Sequence, residues 1–314
     1  MTVVVETAAR LHFGVLDLRG SLGRWFGGIG AAAPGPLLRL TAQPSGAIDV
    51  EGDDADRAAA FARKFQTHFG VTAGAKSRVE QALPPHAGLG SGTQLALAVA
   101  RAMAELNGIT ADVAELAVAV GRTKRSAIGT WTFAGGGLVL EGGRKKEGEG
   151  VAPLLARIPF PPSWRCVVAV PDAASSVSGA GEAEAFAQLP PASEKDVEHV
   201  AHVVLMGLLP ALVEADVVAF GAALSAIQTI TGRWFASVQG GTFAPGASAD
   251  LIRKMSEWGA AGVGQSSWGP TVYGIVDSER AGVELAGRVR EAIGSNGTVY
   301  EGPFRSQGAC VTRA

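Results

Sequence analysis

Cysteine is almost missing from this chain. Two residues in 314, Cys166 and Cys310, exclude a disulfide-stapled fold. No Cys/His spacing suits zinc. Cys166, inside the apolar run CVVAV, reads as a buried thiol. Excess charge is missing too: 27 Lys and Arg stand against 29 Asp and Glu, a net −2. That balance points away from a nucleic-acid or polybasic membrane-surface binder. The opening MTVVVETAARLHF carries neither a basic n-region nor a long apolar h-region, so a cytoplasmic protein is expected. The most apolar run, HVVLMGLLPALVEADVVAF, contains Pro210, Glu214 and Asp216 and reads as buried helices rather than a membrane span.

Glycine, in contrast, is abundant. Its 43 residues are roughly twice the usual share, with no collagen-like period. Many are clustered, as at Gly27-Gly28 and Gly135-Gly136-Gly137, which suits backbone brought close to a ligand.

Length allows two ordinary domains or one large one. The first forty residues read as strands, and AIDVEG closes that set. A helix is expected over 55–69, with Ala58, Phe61, Ala62 and Phe65 on one stripe. AKSRVEQAL reads as a strand. Leu95, Ala98, Val99, Ala102, Met103 and Leu106 follow helical spacing up to Asn107-Gly108. A third helix is expected over about 111–120. GTWTFAGGGLVLEGG reads as two short strands around a glycine turn. The charged segment GGRKKEGEG marks a domain boundary near 150, giving domains 1–150 and 151–314. Beyond it come a strand (WRCVVAVP), a polar loop (DAASSVSGAGEAE) and two helices over about 194–231, broken near Pro210. A helix (SADLIRKMSEWG), a loop (GVGQSSWGP), the strand TVYGIV, a last helix and two closing strands complete an α+β pattern.

The segment Pro84-Pro85-His86-Ala87-Gly88-Leu89-Gly90-Ser91-Gly92-Thr93 stands directly before the second helix. Glycines permit close approach, Ser91 or Thr93 can cap the helix, and the helix N-terminus favours an anion. The plain alternative is a turn. A Walker A loop needs a lysine that is not here, and Pro84-Pro85 interrupts a Rossmann approach.

The loop resembles the phosphate loop of the GHMP kinase superfamily. Further stretches, ARLHFGVLDLRGSLGRWFGGIG (9–30), GRTKRSAIGTWTFAGGG (121–137), LLPALVEADVVAFGAALSAIQ (208–228) and GQSSWGPTVYG (264–274), resemble the beta-ribofuranosylaminobenzene 5'-phosphate synthase family within it. The resemblance implies a ribosomal protein S5 domain 2-like N-terminal half and a ferredoxin-like C-terminal half. It also implies a decarboxylating ribosyltransferase. Phosphoribosyl pyrophosphate would join 4-aminobenzoate or 4-hydroxybenzoate at ribose C1, releasing CO2 and pyrophosphate, early in tetrahydromethanopterin biosynthesis. Mg²⁺ is expected with the pyrophosphate, and no organic cofactor. Partners are small molecules; no nucleic acid or membrane is expected, and the apolar helices after Glu194 leave room for a homodimer. Superfamily kinases commonly carry S-G-x-D where this chain has Ser126-Ala127-Ile128-Gly129, so the aspartate that would activate an attacking hydroxyl is replaced by Gly129. Two other readings stay open: an ATP-dependent small-molecule kinase, and a sensor of sugar phosphates or nucleotides without turnover.

Departure of pyrophosphate needs cations and N–H donors, and the ring needs cover and a hydrogen-bond partner for its para group. His12, Asp17, Arg24, Lys124 and Arg125 are the candidate catalytic residues. Arg10, Arg122, Ser126 and the loop from Pro85 and His86 through Gly88, Leu89, Gly90, Ser91, Gly92 and Thr93 are candidates for phosphate. Phe26, Gly27, Gly28, Gln265, Ser266, Ser267, Trp268 and Gly269 are candidates around the substrate, with Phe13 also able to cover a ring. Plain readings stand beside these: His12 as a core histidine, Asp17 as a turn cap, and Arg122 to Arg125 as helix-end charges. Glu182 and Glu184 read as a solvated acidic loop.

Overall fold

Burial alternates along the first strand: Val3, Val5, Thr7 and Ala9 face the core, and the residues between are only half-buried. That is the pattern of a strand with one covered face. The computed structural model describes residues 1–124, 126–172 and 180–314, with 180–183 as backbone alone. Its N-terminal part runs β1 (Val3–Asp17), β2 (Arg24–Ser45), β3 (Asp49–Gly52), α1 (Ala55–Phe69), β4 (Gly74–Gln81), α2 (Ser91–Leu106), α3 (Val113–Ala119), α4 (Ile128–Gly135), β5 (Leu138–Glu141), β6 (Arg144–Lys145) and β7 (Leu154–Ile158). Then come β8 (Arg165–Pro171), α5 (Ala180–Gln188), α6 (Glu194–Val203), a π-helical turn (Val204–Leu208), α7 (Leu209–Val213) and α8 (Val217–Gln239). The chain ends with α9 (Ala247–Glu257), β9 (Gly262–Gln265), β10 (Val272–Val276), α10 (Glu279–Ile293), β11 (Gly297–Gly302) and β12 (Cys310–Arg313).

The larger sheet is ordered β12-β1-β2-β4-β3. The long β2 serves two neighbours on one side: β4 along its C-terminal half, and β5 along Gly28–Ala31. β1 and β5 therefore flank the same stretch of β2. Helix α2 crosses β1 and β2, and α1, α3 and α4 pack around it. The smaller sheet, β11-β8-β10-β9, is antiparallel. Leu251, Ile252, Met255, Leu285 and Val289 of α9 and α10 cover it. Helix α8 touches both β9 and β1 and so joins the two parts. This is the expected two-part α+β architecture.

The boundary near 150 falls between β6 and β7, but the larger sheet does not stop there. β7 pairs with β5, and β12 returns from the C-terminus to pair with β1.

Three local expectations are corrected. GTWTFAG is helical, not a strand. Gly129 packs so closely on α2 that a Cβ there would lie 3.0 Å from Thr93 Cγ2, and this docking overrides the preference of its Trp and Thr residues for strands. The long helical segment breaks at Glu214–Asp216, not at Pro210. Pro210 directly follows the π-helical turn, in which the Leu209 N–H bonds to the Val204 carbonyl, and the helical run passes through it; Asp216 caps α8 through Ala219 N–H. The apolar run is only half-covered. Val200, Val204, Leu208 and Leu212 face inward, whereas Leu205, Met206, Val213 and Val218 are exposed. Residues 194–213 are long and apolar enough to cross a membrane by length and composition alone, yet this run packs along α8.

Candidate active site

The glycine-rich loop owes its shape to backbone that only glycine adopts easily. Gly88 and Gly90 have φ of 77° and 78°, and Gly90 ends the loop as the N-cap of α2. Ser91 and Thr93 are thus inside the first turn, and neither caps it as expected. Thr93 and Gln94 N–H groups bond back to the Gly90 carbonyl. The positive end of α2 opens into a cavity of about 910 Å³ between the two sheets.

One end of this cavity is cationic. Arg10, Arg57, Lys64, Arg122 and Lys124 line it, together with His86, Leu89 and the run Gly90–Thr93. The Arg57 and Arg122 guanidinium groups converge on Gly92: each places Nη2 2.8 Å from the point a Cβ would occupy. Arg10 is half-buried, and one guanidinium N–H donates to the Gly88 carbonyl. Burial lowers its pKa to about 10, so it stays charged at neutral pH. A charge partly withdrawn from water at the mouth of a helix N-terminus favours an anionic ligand.

The other end is aromatic. Trp268 and Phe235 meet edge to face with centroids 4.8 Å apart, Trp268 and Phe186 at 5.6 Å, and Phe186 and Phe26 at 5.4 Å. This arrangement offers ring edges and faces to a flat ligand. Phe26 is held there at φ 73°, a region uncommon for a side-chain-bearing residue, beside Gly27 at φ 62°. Phe13, the other expected ring cover, is instead in the core, 5.0 Å from Tyr273.

Between the two ends lies His12, with its pKa lowered to about 3 first by burial and then by Arg10. Ser266 is buried behind it: its hydroxyl accepts from His12 N–H and donates to Gly88, tying three chain segments together. Gln265, Ser267 and Ser126 line the cavity. Gln265 is also bonded to Ala244, Gln239 and Ser267.

Several expected residues lie outside the lining. Asp17 accepts the Arg19 and Gly20 N–H groups at 2.6 and 3.0 Å, so its carboxylate shapes the turn. Arg24 donates to the Gly142 and Gly143 carbonyls at 2.7 and 2.8 Å and clamps the β5–β6 turn. Pro85 is exposed, and Gly269 sits in the turn after Trp268 at φ 74°. Gly28 is buried beneath His12. Arg125 and most of the loop after Asp172 lie outside the described residues; Glu184 is exposed in α5.

Arg57, Lys64, Phe186 and Phe235 were not singled out from sequence. Arg57 and Lys64 lie off the apolar stripe of α1, and nothing in their spacing reveals that they close a cavity.

No group of three or more His, Cys, Asp or Glu side chains comes together for a metal among the described residues. Asp54, near the cationic end, is bonded to Arg57. The donor set at the cavity is guanidinium, ammonium and hydroxyl, which does not fit a Mg²⁺ ion held by the protein.

A model of the GHMP kinases N terminal domain matches residues 56–135, and one of the GHMP kinases C terminal domain matches 208–294. The chain is 33% identical to the beta-ribofuranosylphenol 5'-phosphate synthase of Methanothermobacter thermautotrophicus, covering 99% of both chains. It is 36% identical to the protein of that name from Archaeoglobus fulgidus, covering 89% of this chain and 90% of that one. Among solved structures, homoserine kinase from Cytophaga hutchinsonii superposes with a TM-score of 0.72 at 17% identity, over 99% and 97% of the two chains, a likeness of fold alone.

Proposed function

From the premise that this chain belongs to the beta-ribofuranosylphenol 5'-phosphate synthase family of the GHMP kinase superfamily, we propose that it joins phosphoribosyl pyrophosphate to 4-hydroxybenzoate, releasing CO2 and pyrophosphate. The carrying observation is one cavity with a cationic end and an aromatic end. The relatives' name specifies a phenol, which favours the hydroxy acid over 4-aminobenzoate. The product would enter tetrahydromethanopterin biosynthesis.

Arg57, Lys64, Arg122 and the first turn of α2 would hold the pyrophosphate and meet the charge it gains as its bond to C1 breaks. Trp268, Phe235 and Phe186 would hold the ring against C1 and exclude water from the developing cation. Any Mg²⁺ would arrive as the pyrophosphate's counterion, and none of these roles depends on it. The kinase reading is disfavoured by Gly129, which offers no carboxylate where superfamily kinases carry the aspartate, and a Cβ there would already press on Thr93 Cγ2 at 3.0 Å. The sensor reading gains no support of its own.

We also assign the exposed Leu205, Met206, Val213 and Val218 to contact with a second copy in the cytoplasm. Sedimentation of Met206→Glu, expected to be monomeric, checks this. The activity is tested with carboxyl-labelled 4-hydroxybenzoate and 4-aminobenzoate. Labelled CO2 is expected from the first, dependent on phosphoribosyl pyrophosphate. Release from neither acid by folded protein would refute the reading, as would ATP consumption with an alcohol instead.

A further inference from the structure

Glu141 is a fully buried carboxylate that no role described so far uses. It ends β5, directly opposite Gly28 on β2, while His12 stands on β1 at the other side of β2. Two side chains on strands flanking a third are ordinarily separated by the middle residue's side chain. Here that residue is glycine. A Cβ on Gly28 would lie 3.1 Å from Glu141 Oε1 and 3.4 Å from His12 Nε2. Both polar atoms therefore border the space that a Cβ would fill, under Ile128, with no hydrogen bond between them.

The surroundings hold the carboxylate unevenly. Oε2 accepts the Gly143 N–H at 2.7 Å, and Arg24 fixes the same turn through the Gly142 and Gly143 carbonyls. Oε1 has no hydrogen-bond partner, an arrangement that buried carboxylates seldom keep without a use. The Gly143 and Ala127 N–H groups, the Ser126 hydroxyl and the Arg24 guanidinium act on Glu141, Arg10 acts on His12, and His12 and Glu141 meet only at the space beside Gly28. Burial outweighs the rest and pushes Glu141 up to about 7, whereas His12 is held at about 3. The carboxylate is the stronger base of the two, and the imidazole stays neutral.

We infer that Glu141 is the proton-accepting positioning residue behind His12, drawing the para-hydroxyl proton of the aromatic acid through the imidazole during carbon–carbon bond formation. This rests on the reading under Proposed function. As the ring carbon bonds to C1, the C1–oxygen pair leaves with pyrophosphate. The hydroxyl proton passes to one imidazole nitrogen and, as Nε2 closes on Oε1 through the space left open at Gly28, the Nε2 proton passes to Glu141. When the bond to the carboxylate breaks, its electron pair restores the aromatic ring, CO2 leaves, and the proton returns to the oxygen along the same path. No proton is gained or lost overall. An amino acid substrate needs no such transfer, since its nitrogen lone pair can carry the charge as an iminium.

The test compares wild type, Glu141→Gln and Glu141→Asp by the pH dependence of kcat/KM with 4-hydroxybenzoate and 4-aminobenzoate. In wild type, kcat/KM for the hydroxy acid should rise through about pH 7 as Glu141 ionises. Glu141→Gln should lose roughly 100-fold with the hydroxy acid and become flat with pH. The loss should be smaller with the amino acid, and Glu141→Asp should recover part of the pH-dependent limb. A limb that persists unchanged in Glu141→Gln, or equal losses with both acids, would overturn the inference. Infrared titration of the wild type gives a readout independent of turnover: a protonated carboxyl band should vanish near pH 7 and be missing from Glu141→Gln. A band that titrates in the ordinary carboxylate range overturns the inference even if Glu141→Gln fails to fold. Absence of CO2 release by the wild type, with the band titrating near 7, would defeat the functional reading instead.

Discussion

Ser266 is joined to His12 across 254 residues of sequence: its hydroxyl accepts the His12 N–H at 2.9 Å. The same oxygen donates to the Gly88 carbonyl at 2.7 Å. One buried hydroxyl thus fixes the strand bearing the imidazole, the phosphate loop and the loop bearing Trp268 relative to one another. Ser266→Ala leaves a buried N–H unsatisfied and should cost about 1–3 kcal/mol of stability. The denaturation midpoint should fall and KM for phosphoribosyl pyrophosphate should rise. Unchanged values of both would show that the staple is dispensable.

Gly88 and Gly90 both need positive φ, yet their neighbours differ. A Cβ on Gly88 would lie 2.3 Å from the Ser266 carbonyl oxygen, which is backbone, whereas on Gly90 it would meet the Arg10 side chain at 2.9 Å. Gly88→Ala should therefore move the loop more than Gly90→Ala. Strain of about 1–3 kcal/mol is expected at either position. The loss of affinity for phosphoribosyl pyrophosphate, measured by calorimetry, should be the larger for Gly88→Ala. The reverse order would mean that the Arg10 contact, and not loop placement, governs binding.

The sequence was legible where local pattern and structure share a cause. The stripe of Ala58, Phe61, Ala62 and Phe65 predicts α1 residue for residue, because one face packs and the period is 3.6. Gly88 and Gly90 announce the loop because their backbone is demanding. The segment after Ser126 was illegible because its helix depends on Gly129 docking against Thr93, a contact 36 residues away. Arg24 and Asp17 sit in the motif that carries the family likeness, yet their charged groups hold turns. Glu141 escaped notice because its setting depends on which strands flank β2, and one acidic residue before two glycines says nothing of that.

The two ends of the cavity should separate kinetically. Trp268→Ala removes a ring that touches Phe235 and Phe186 and should raise KM for the aromatic acid by about tenfold, in line with the worth of an aromatic pair. Arg57→Ala and Lys64→Ala should raise KM for phosphoribosyl pyrophosphate and leave that for the acid nearly unchanged. Loss of a charged hydrogen bond is worth about 1.5–3 kcal/mol. Steady-state kinetics with each substrate varied in turn would check this. A common effect of all three variants on both constants would place ring and pyrophosphate at the same end.

Glu141 and His12 should also shape stability in opposite directions. The folded state raises Glu141 from 4.5 to about 7, so it holds a proton there that the unfolded chain releases. Its contribution is fully present below pH 4.5 and is lost as pH rises through 7, by at most about 3 kcal/mol. His12 is lowered from 6.5 to about 3, so its contribution is present above pH 6.5 and is lost as pH falls toward 3. Glu141→Gln has no carboxylate to desolvate. Its stability relative to wild type should climb between pH 4.5 and 7 and then level off, with little difference at pH 4. His12→Asn should remove part of the acid-side loss instead. Denaturant midpoints taken from pH 4 to 8 decide the matter: a Glu141→Gln curve parallel to wild type over that range would mean that Glu141 ionises in the fold as easily as it does in water.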